Sequence, residues 1–428
     1  MKINRIYIET LGCSKNLVDS EHMTGILMAK GYQIANTPEE SEFVIINTCA
    51  FINDSKKESI DMIFNMITNT ESKVIVSGCL AQRYADELVE EIPEVVAYVG
   101  TTQFQYIDSV IDRVNNGEKN IILTDNVSLI LPENLPRNIL TPKHYAFVKI
   151  AEGCDNSCTY CIIPQLRGSY RSRKIEDIVN EVKSLVKSGI KEIILIAQDT
   201  TRYGVDLYNE FKLGDLLDSL NSIENLKWIR IQYMYPDVID ENLVLSIMRN
   251  GKVVPYFDIP IQHSSNKILK LMNRHTTREN IINVLNLIKM HIPDAVIRTT
   301  LIVGFPGETD EDFNDLIEFI KAHPFNRLGA FKYSDEENTP AYNLPLKIDE
   351  DIKEQRYNAL MSVQLEISNA MMMNFVDKTL PVIIDEIIQG EPIYMGRTQY
   401  DTPEVDGVVY VHTNKNLIVG NIYNVHIN

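Results

Sequence analysis

From residue 5 to residue 100, short runs of apolar, often β-branched residues alternate with longer stretches whose apolar positions recur every three or four residues. RIYIET (5–10), FVIINT (43–48), KVIVSG (73–78) and VVAYVG (95–100) have the unbroken hydrophobicity of strands covered on both faces. The stretches 17–30, 55–67 and 81–91 carry helical spacing. Together they predict an α/β domain over residues 1–125, with a parallel sheet and right-handed crossovers. Pro132, Pro136 and Pro142 then break the pattern, and residues 126–143 are expected to form a linker.

Six further strand-like runs follow: YAFVKIAE (145–152), KEIILIAQ (191–198), LKWIRIQ (226–232), YFDIPIQ (256–262), AVIRTTLIV (295–303) and LGAFKYS (328–334). Helical patterns fill the gaps. In IEDIVNEVKSLVKSG, Ile175, Ile178, Val182 and Leu185 share one face and Gly189 supplies the stop. Six β/α units over 144–365 predict an open or partial TIM-like barrel with its chemistry at the carboxyl ends of the strands. After a helical stretch reaching about residue 374, the runs PVIIDEII, GVVYVH and NIYNVHI, separated by turn signals at Gly390, Gly396, Gly407 and Gly420, predict a small all-β barrel over 366–428.

Composition adds exclusions. The formal charge of −18 argues against a binder of nucleic acid that works through a broad basic surface. No apolar run approaches the ~18–20 residues needed to span a bilayer. The start, MKINRIYIETLGC, places an Arg and a Glu where a signal peptide needs unbroken apolar residues, so a cytoplasmic protein is expected and LGC is not read as a lipoprotein cleavage site. Neither G-x-x-x-x-G-K nor G-x-G-x-x-G occurs.

The six cysteines fall into two triplets. Cys154, Cys158 and Cys161, in EGCDNSCTYCIIP, place three thiols on one short loop, a ligand spacing suited to zinc or to an iron-sulfur cluster. A closed structural zinc site needs a fourth ligand, whereas a cubane held by three cysteines leaves one iron open. Cys13, Cys49 and Cys79 make no local motif. Each stands at the end of a predicted strand, so a parallel sheet would deliver all three thiols to one edge, as for a second cluster; three unrelated buried thiols is the other reading.

The C-x-x-x-C-x-aromatic-C pattern, with Tyr160 in the aromatic slot, resembles the signature of radical S-adenosylmethionine enzymes. The resemblance implies that Cys154, Cys158 and Cys161 hold a 4Fe-4S cluster whose open iron binds the amino and carboxylate groups of the cofactor. One electron then cleaves the sulfonium to a 5'-deoxyadenosyl radical. A preceding three-cysteine α/β domain and a terminal β barrel make the whole chain similar to the methylthiotransferases. In that family the N-terminal domain binds an auxiliary cluster, the barrel is a TRAM domain, and C–H becomes C–S–CH3. One S-adenosylmethionine serves as methyl donor and a second as radical source, with sulfide or persulfide as sulfur source. The segments LGCSKNLVDSE (11–21), AQDTTRYG (197–204), QYMYPD (232–237), IQHSS (261–265), FKYSDEENTPA (331–341) and GRTQYDTPEVDG (396–407) resemble the branch that modifies the β-carbon of an aspartate in the small-subunit ribosomal protein S-twelve. The implied partners are that protein, free or in the ribosomal subunit, and an electron donor such as flavodoxin or ferredoxin; no membrane and no stable nucleic-acid binding are expected. The alternatives are a tRNA adenosine methylthiotransferase and a noncatalytic iron-sulfur carrier.

One count bears on that choice. From 376 to 428 there are three Lys or Arg against seven Asp or Glu, which suits a basic partner protein better than RNA, unless the acidity only keeps the protein soluble. For cofactor binding the candidates are Tyr160, the strand-end residues Gln198, Asp199, Gln262, Ser264, Arg298 and Thr300, and, by resemblance, Gly304 with Gly307; each polar one is also what an ordinary strand end carries. Thr309 is read as a helix N-cap. Arg167, Arg171 and Arg173 either meet a carboxylate of substrate or cofactor or form a solvated basic stretch.

Overall fold

The structure, a computed structural model, describes residues 5–129, 132 and 135–428. Residues 1–4, and 130, 131, 133 and 134 of the expected linker, lie outside the described residues. The chain forms two compact units. One comprises the chain up to Leu140, Glu152–Arg171 and Ser334–Tyr342; the other comprises Thr141–Ala151, Ser172–Tyr333 and Asn343–Asn428.

The first unit is built on a parallel sheet of six strands, β1 (Arg5–Thr10), β2 (Gln33–Ile34), β3 (Phe43–Thr48), β4 (Lys73–Gly78), β5 (Val95–Val99) and β6 (Ile121–Leu123), in the order β2-β1-β3-β4-β5-β6. Two of these, β2 and β6, were not anticipated: at two and three residues they are too short to show a period. Successive side chains go to opposite faces. Ile6, Ile45, Ile75 and Val99 pack with Met23, Leu27, Ile107 and Ile111 of the helices Ser14–Ala29 and Ile107–Asn115. Val44, Ile46, Val74 and Val76 pack on the other side with Ile63 and Leu80 of the helices Asn53–Asn69 and Cys79–Glu91. Part of the expected linker is docked: Arg137 pairs with the buried Glu21 at 2.5 Å, and the Leu140 N–H donates to the same carboxylate at 2.9 Å.

In the second unit β7 (Tyr145–Lys149) leads into two short strands, β8 (Ala151–Glu152) and β9 (Arg171–Ser172), at the points where the chain leaves and re-enters the unit. Then come β10 (Glu192–Ile196), β11 (Trp228–Ile231), β12 (Val253–Asp258), β13 (Val296–Val303) and β14 (Arg327–Lys332). Their order, β14-β13-β12-β11-β10-β7, all parallel, is the partial barrel expected. The fourth strand is displaced from its sequence reading: β12 starts three residues earlier and ends at Asp258, because Pro260 has no N–H to give the ladder. Pairing resumes for one step at Gln262, opposite Leu301, with Gln262 in the left-handed region at φ 70°.

The helix Glu350–Met372 leads to an antiparallel sheet of β15 (Thr379–Ile387), β16 (Ile393–Thr398), β17 (Val409–His412) and β18 (Ile422–His426), in the order β17-β16-β15-β18. Ile383 and Tyr400 join Trp228, Val254, Tyr256 and Val296 of the half-barrel in one apolar core. The segment after β16 floors that half-barrel with polar contacts. Arg327 pairs with Asp401 at 2.7 Å, Gln232 donates to Thr402 at 2.8 Å, and the Tyr256 and Tyr145 hydroxyls donate to Asp406 at 2.6 Å and Glu404 at 2.8 Å. Arg397 bridges Glu192 at 3.0 Å and Asp385 at 2.9 Å, and Glu192 also holds Arg230 at 3.0 Å.

These contacts refine the reading of the acidic terminal module. Asp385, Asp401 and Asp406 face arginines and Glu404 accepts from Tyr145, so the charge count along 376–428 includes internal pairs, while Asp377, Glu386, Glu391 and Glu404 are exposed. Among the described residues, no helix is long and apolar enough to cross a membrane.

Candidate active site

Three neighbouring strands of the first unit end level with one another. Thr10 of β1 lies opposite Asn47 of β3, and Asn47 and Thr48 lie opposite Ser77 and Gly78 of β4. Cys13, Cys49 and Cys79 stand at or just beyond those carboxyl ends, on adjacent strands β1, β3 and β4. Glycine precedes two of them for a reason. Gly12 and Gly78 both hold φ of 90°, and a Cβ on Gly12 would sit 2.8 Å from Cys49 Cβ. The backbone is therefore pressed toward the thiols. Asn16, fully buried on the first helix, donates to Leu11 O at 3.0 Å and Thr48 O at 2.9 Å, tying the approach to Cys13 to the approach to Cys49. The Cys49 N–H donates to Ser59 Oγ at 3.1 Å, and Ser59 returns a bond to Cys49 O at 2.9 Å.

Burial pushes the Cys49 thiol up, and pushes that of Cys79 up to about 12 against the pull of the Arg167 guanidinium. Each also feels the charge of Cys13. Three mutually interacting thiols at one sheet edge suit a group that takes thiolates and repays their desolvation by bonding them. The six cysteines are thiols, none in a disulfide. Among the described residues no three His, Cys, Asp or Glu side chains gather as for one metal ion. Cysteines that bind different irons of one cluster stand farther apart than the ligands of a single ion.

The other triplet lies in the same unit. Cys154 N–H donates to Gly168 O at 3.1 Å and Cys161 N–H to Cys158 O at 3.0 Å; Ser157, between the first two cysteines, takes φ 53°. Tyr160 is half-buried on this loop. The short helix Ile163–Arg167 follows, and Ser334–Tyr342 lies alongside: Ala341 N–H donates to Thr159 O at 2.8 Å, and Gln165 donates to Asn338 O at 2.7 Å. Glu336, nearly fully buried, anchors that segment on Lys56 at 2.9 Å and Arg83 at 2.8 Å.

The strand-end candidates of the second unit separate by what holds them. Asp199 is buried and its Oδ1 accepts from Thr201 N–H at 3.1 Å and Thr201 Oγ1 at 2.6 Å, so it shapes the turn after β10. Arg298 pairs with Asp258 at 2.9 Å, lies 4.0 Å from Asp406, and points toward the floor. Gln198, Gln262 and Thr300 are half-buried. Ser264 is fully buried, and its hydroxyl has no hydrogen-bond partner among the described residues. Gly304 N–H donates to Glu308 Oε2 at 2.8 Å and Phe305 N–H to the same oxygen at 3.3 Å, while Arg356 holds Oε1 at 2.9 Å. Thr309 caps the helix Asp310–Ala322 and exchanges bonds with Asp312.

Of the three arginines, none forms the solvated stretch considered as one possibility. Arg167 is buried against Asp19 and Glu152, Arg173 pairs with Glu181 at 2.6 Å, and Arg171 donates to Val127 O at 3.1 Å. Sequence reasoning missed Asn16, Asp19, Glu152 and Glu308. A signal existed for the first pair: Asn16 and Asp19 sit three apart on a helix whose buried side is largely polar.

Comparison with known proteins decides the family. Three family profiles match: "Uncharacterized protein family UPF0004" over residues 5–100, "Radical SAM superfamily" over 148–320 and "TRAM domain" over 376–428. A relative from Clostridioides difficile, "Ribosomal protein uS12 methylthiotransferase RimO", is 51% identical and covers 99% of this chain and 96% of its own. A protein of the same name from Thermoanaerobacter is 47% identical over 98% of this chain and 96% of its own. The chain belongs to the RimO family. Its radical SAM fold recurs in the methyltransferase TsrM from Kitasatospora setae, solved with cobalamin and a 4Fe-4S cluster, at a TM-score of 0.57 and 13% identity over 79% of this RimO-family chain and 77% of that one. It recurs also in the cobalamin-dependent enzyme OxsB, at 0.52 and 12% over 86% and 56%.

Proposed function

We propose that this RimO-family enzyme inserts sulfur and a methyl group at the β-carbon of an aspartate of ribosomal protein uS12. The observation that carries the chemistry is the presence, in one compact unit, of two cysteine triplets: one on a loop and one at the ends of three adjacent strands. The substrate follows the name shared by near-full-length relatives. Cys154, Cys158 and Cys161 hold one 4Fe-4S cluster; Cys13, Cys49 and Cys79 hold the other. When bound, S-adenosylmethionine supplies the radical and the methyl group, and the second cluster the route for sulfur.

The protein's own part is placement. Glu308 fixes the backbone at Gly304 by accepting two N–H groups, and Asp199 fixes the turn beside Gln198. Tyr160, Gln198, Gln262, Ser264, Thr300 and Gly304 are the proposed cofactor contacts, while Asp199 and Arg298 act through the neighbours they hold. Residues 1–125 are assigned to the auxiliary-cluster domain, 144–365 to the radical domain and 366–428 to the TRAM domain, joined by 126–143. Flavodoxin or ferredoxin supplies electrons, and uS12 is modified free or in the small subunit. Anaerobic incubation of reconstituted enzyme with S-adenosylmethionine, sulfide, a strong reductant and, separately, small subunits or bulk tRNA, followed by mass spectrometry, tests this. A methylthio-aspartate in uS12 is expected; a methylthio-adenosine in tRNA with uS12 unchanged would overturn the substrate.

A further inference from the structure

We infer that Arg167 is a positioning residue for the sulfur-handling cluster: its guanidinium sets the Cys79 sulfur and raises that cluster's reduction potential. The inference rests on the assignment of Cys13, Cys49 and Cys79 proposed above.

Arg167 ends the helix that begins two residues after Cys161, so its backbone belongs to the radical-cluster loop while its side chain reaches the other triplet. It is one of the largest fully buried side chains in the protein. Nη1 donates to Asp19 Oδ2 at 2.8 Å and Glu152 Oε2 at 3.1 Å, and Nη2 to Asn16 Oδ1 at 2.6 Å and Cys79 Sγ at 3.9 Å. The same Asn16 holds Leu11 O and Thr48 O, the backbone leading to Cys13 and Cys49. One planar fork thus connects to all three strand ends that carry the thiols. Thr101 Oγ1 donates to Leu166 O at 2.5 Å and fixes the backbone from which the fork reaches.

Two carboxylates already compensate the buried cation, so the ion pairs alone do not require a sulfur or an amide on the second nitrogen. Lysine would bring the charge without the flat pair of donors. An N–H directed at a cluster sulfur favours the reduced, more negative state, and hydrogen bonds to the sulfurs are one of the levers that set such potentials.

The test uses the full chain with Cys154, Cys158 and Cys161 all changed to Ala, so that only the other cluster forms on anaerobic reconstitution with iron and sulfide. Arg167→Lys, and the charge-balanced pair Arg167→Gln with Asp19→Asn, are compared with this parent by iron content, thermal melting, electron paramagnetic resonance and redox titration. In both variants the reduction equilibrium is expected to shift about tenfold toward the oxidised cluster, about 59 mV lower for one electron. Loss of the cluster from a variant that melts as the parent does also supports positioning. A full cluster with unchanged potential and spectrum in Arg167→Lys overturns the inference. A parent that melts cooperatively yet binds no cluster overturns instead the assignment of Cys13, Cys49 and Cys79.

Discussion

The two cysteine triplets reach similar donor sets by opposite routes. Cys154, Cys158 and Cys161 lie within eight residues on one loop, where local backbone turns suffice to gather them. Cys13, Cys49 and Cys79 are 36 and 30 residues apart and meet only because β1, β3 and β4 are adjacent, parallel and level at their ends. A site written locally depends on a few turns; a site assembled by a sheet depends on everything that keeps the strands in register. The same contrast runs through the charged groups. The Thr309–Asp312 capping box is a local device, whereas Glu192, Arg230, Arg397 and Asp385 come from four separate strands.

The sharpest test of the contrast is to remove one thiol from each triplet. Cys158→Ala is expected to abolish both cleavage of S-adenosylmethionine to 5'-deoxyadenosine and methylthio product, whereas Cys49→Ala is expected to retain cleavage and lose product, both read by chromatography and mass spectrometry. Methylthiolated product persisting in Cys49→Ala would end the division of labour. The assembled charge network comes next. Glu192→Gln leaves the fully buried Arg230 and the buried Arg397 short of one carboxylate, and about 3–5 kcal/mol of stability should be lost in urea unfolding. A loss under 1 kcal/mol would show that the floor of the half-barrel is held by its apolar core instead.

A pH series sharpens the comparison at the Gly304 turn. Burial raises the Glu308 carboxyl from 4.5 to about 7, with Arg356 opposing. The folded state therefore binds the proton more tightly than the unfolded one. Its contribution is complete below pH 4.5 and is lost as pH rises toward 7. Relative to the parent, Glu308→Gln should gain up to about 3 kcal/mol between pH 4.5 and pH 7 by chemical denaturation. A pH-independent difference would show that the two backbone N–H groups and Arg356 keep the carboxylate ionised throughout. The smallest effect is expected at the local device: Thr309→Ala should cost about 1 kcal/mol, read from the same unfolding curves.

Much of the fold was legible because it rests on period and punctuation. The strands 5–10, 43–48 and 73–78 follow from unbroken apolar runs, and the helix stop at Gly189 and the Thr309 cap from residue chemistry. What escaped was set by contacts distant in sequence. The start of β12 depends on its pairing with β11, β16 was hidden in a segment rich in turn residues, and the fate of Arg167 depends on Asp19, 148 residues away.

The residues by themselves determined the kinds of elements, the two donor triplets and the resemblance to a family, since each is carried by local composition, period or spacing. Only the tertiary structure decided that Asp385, Asp401 and Asp406 of the terminal module are partners of arginines, that Ser334–Tyr342 lies along the cysteine loop, and that one buried guanidinium reaches the sulfur of Cys79. The reason is physical. A buried charge is tolerable only beside its counter-charge, and which counter-charge arrives is settled by strand order and register, to which no window of sequence has access.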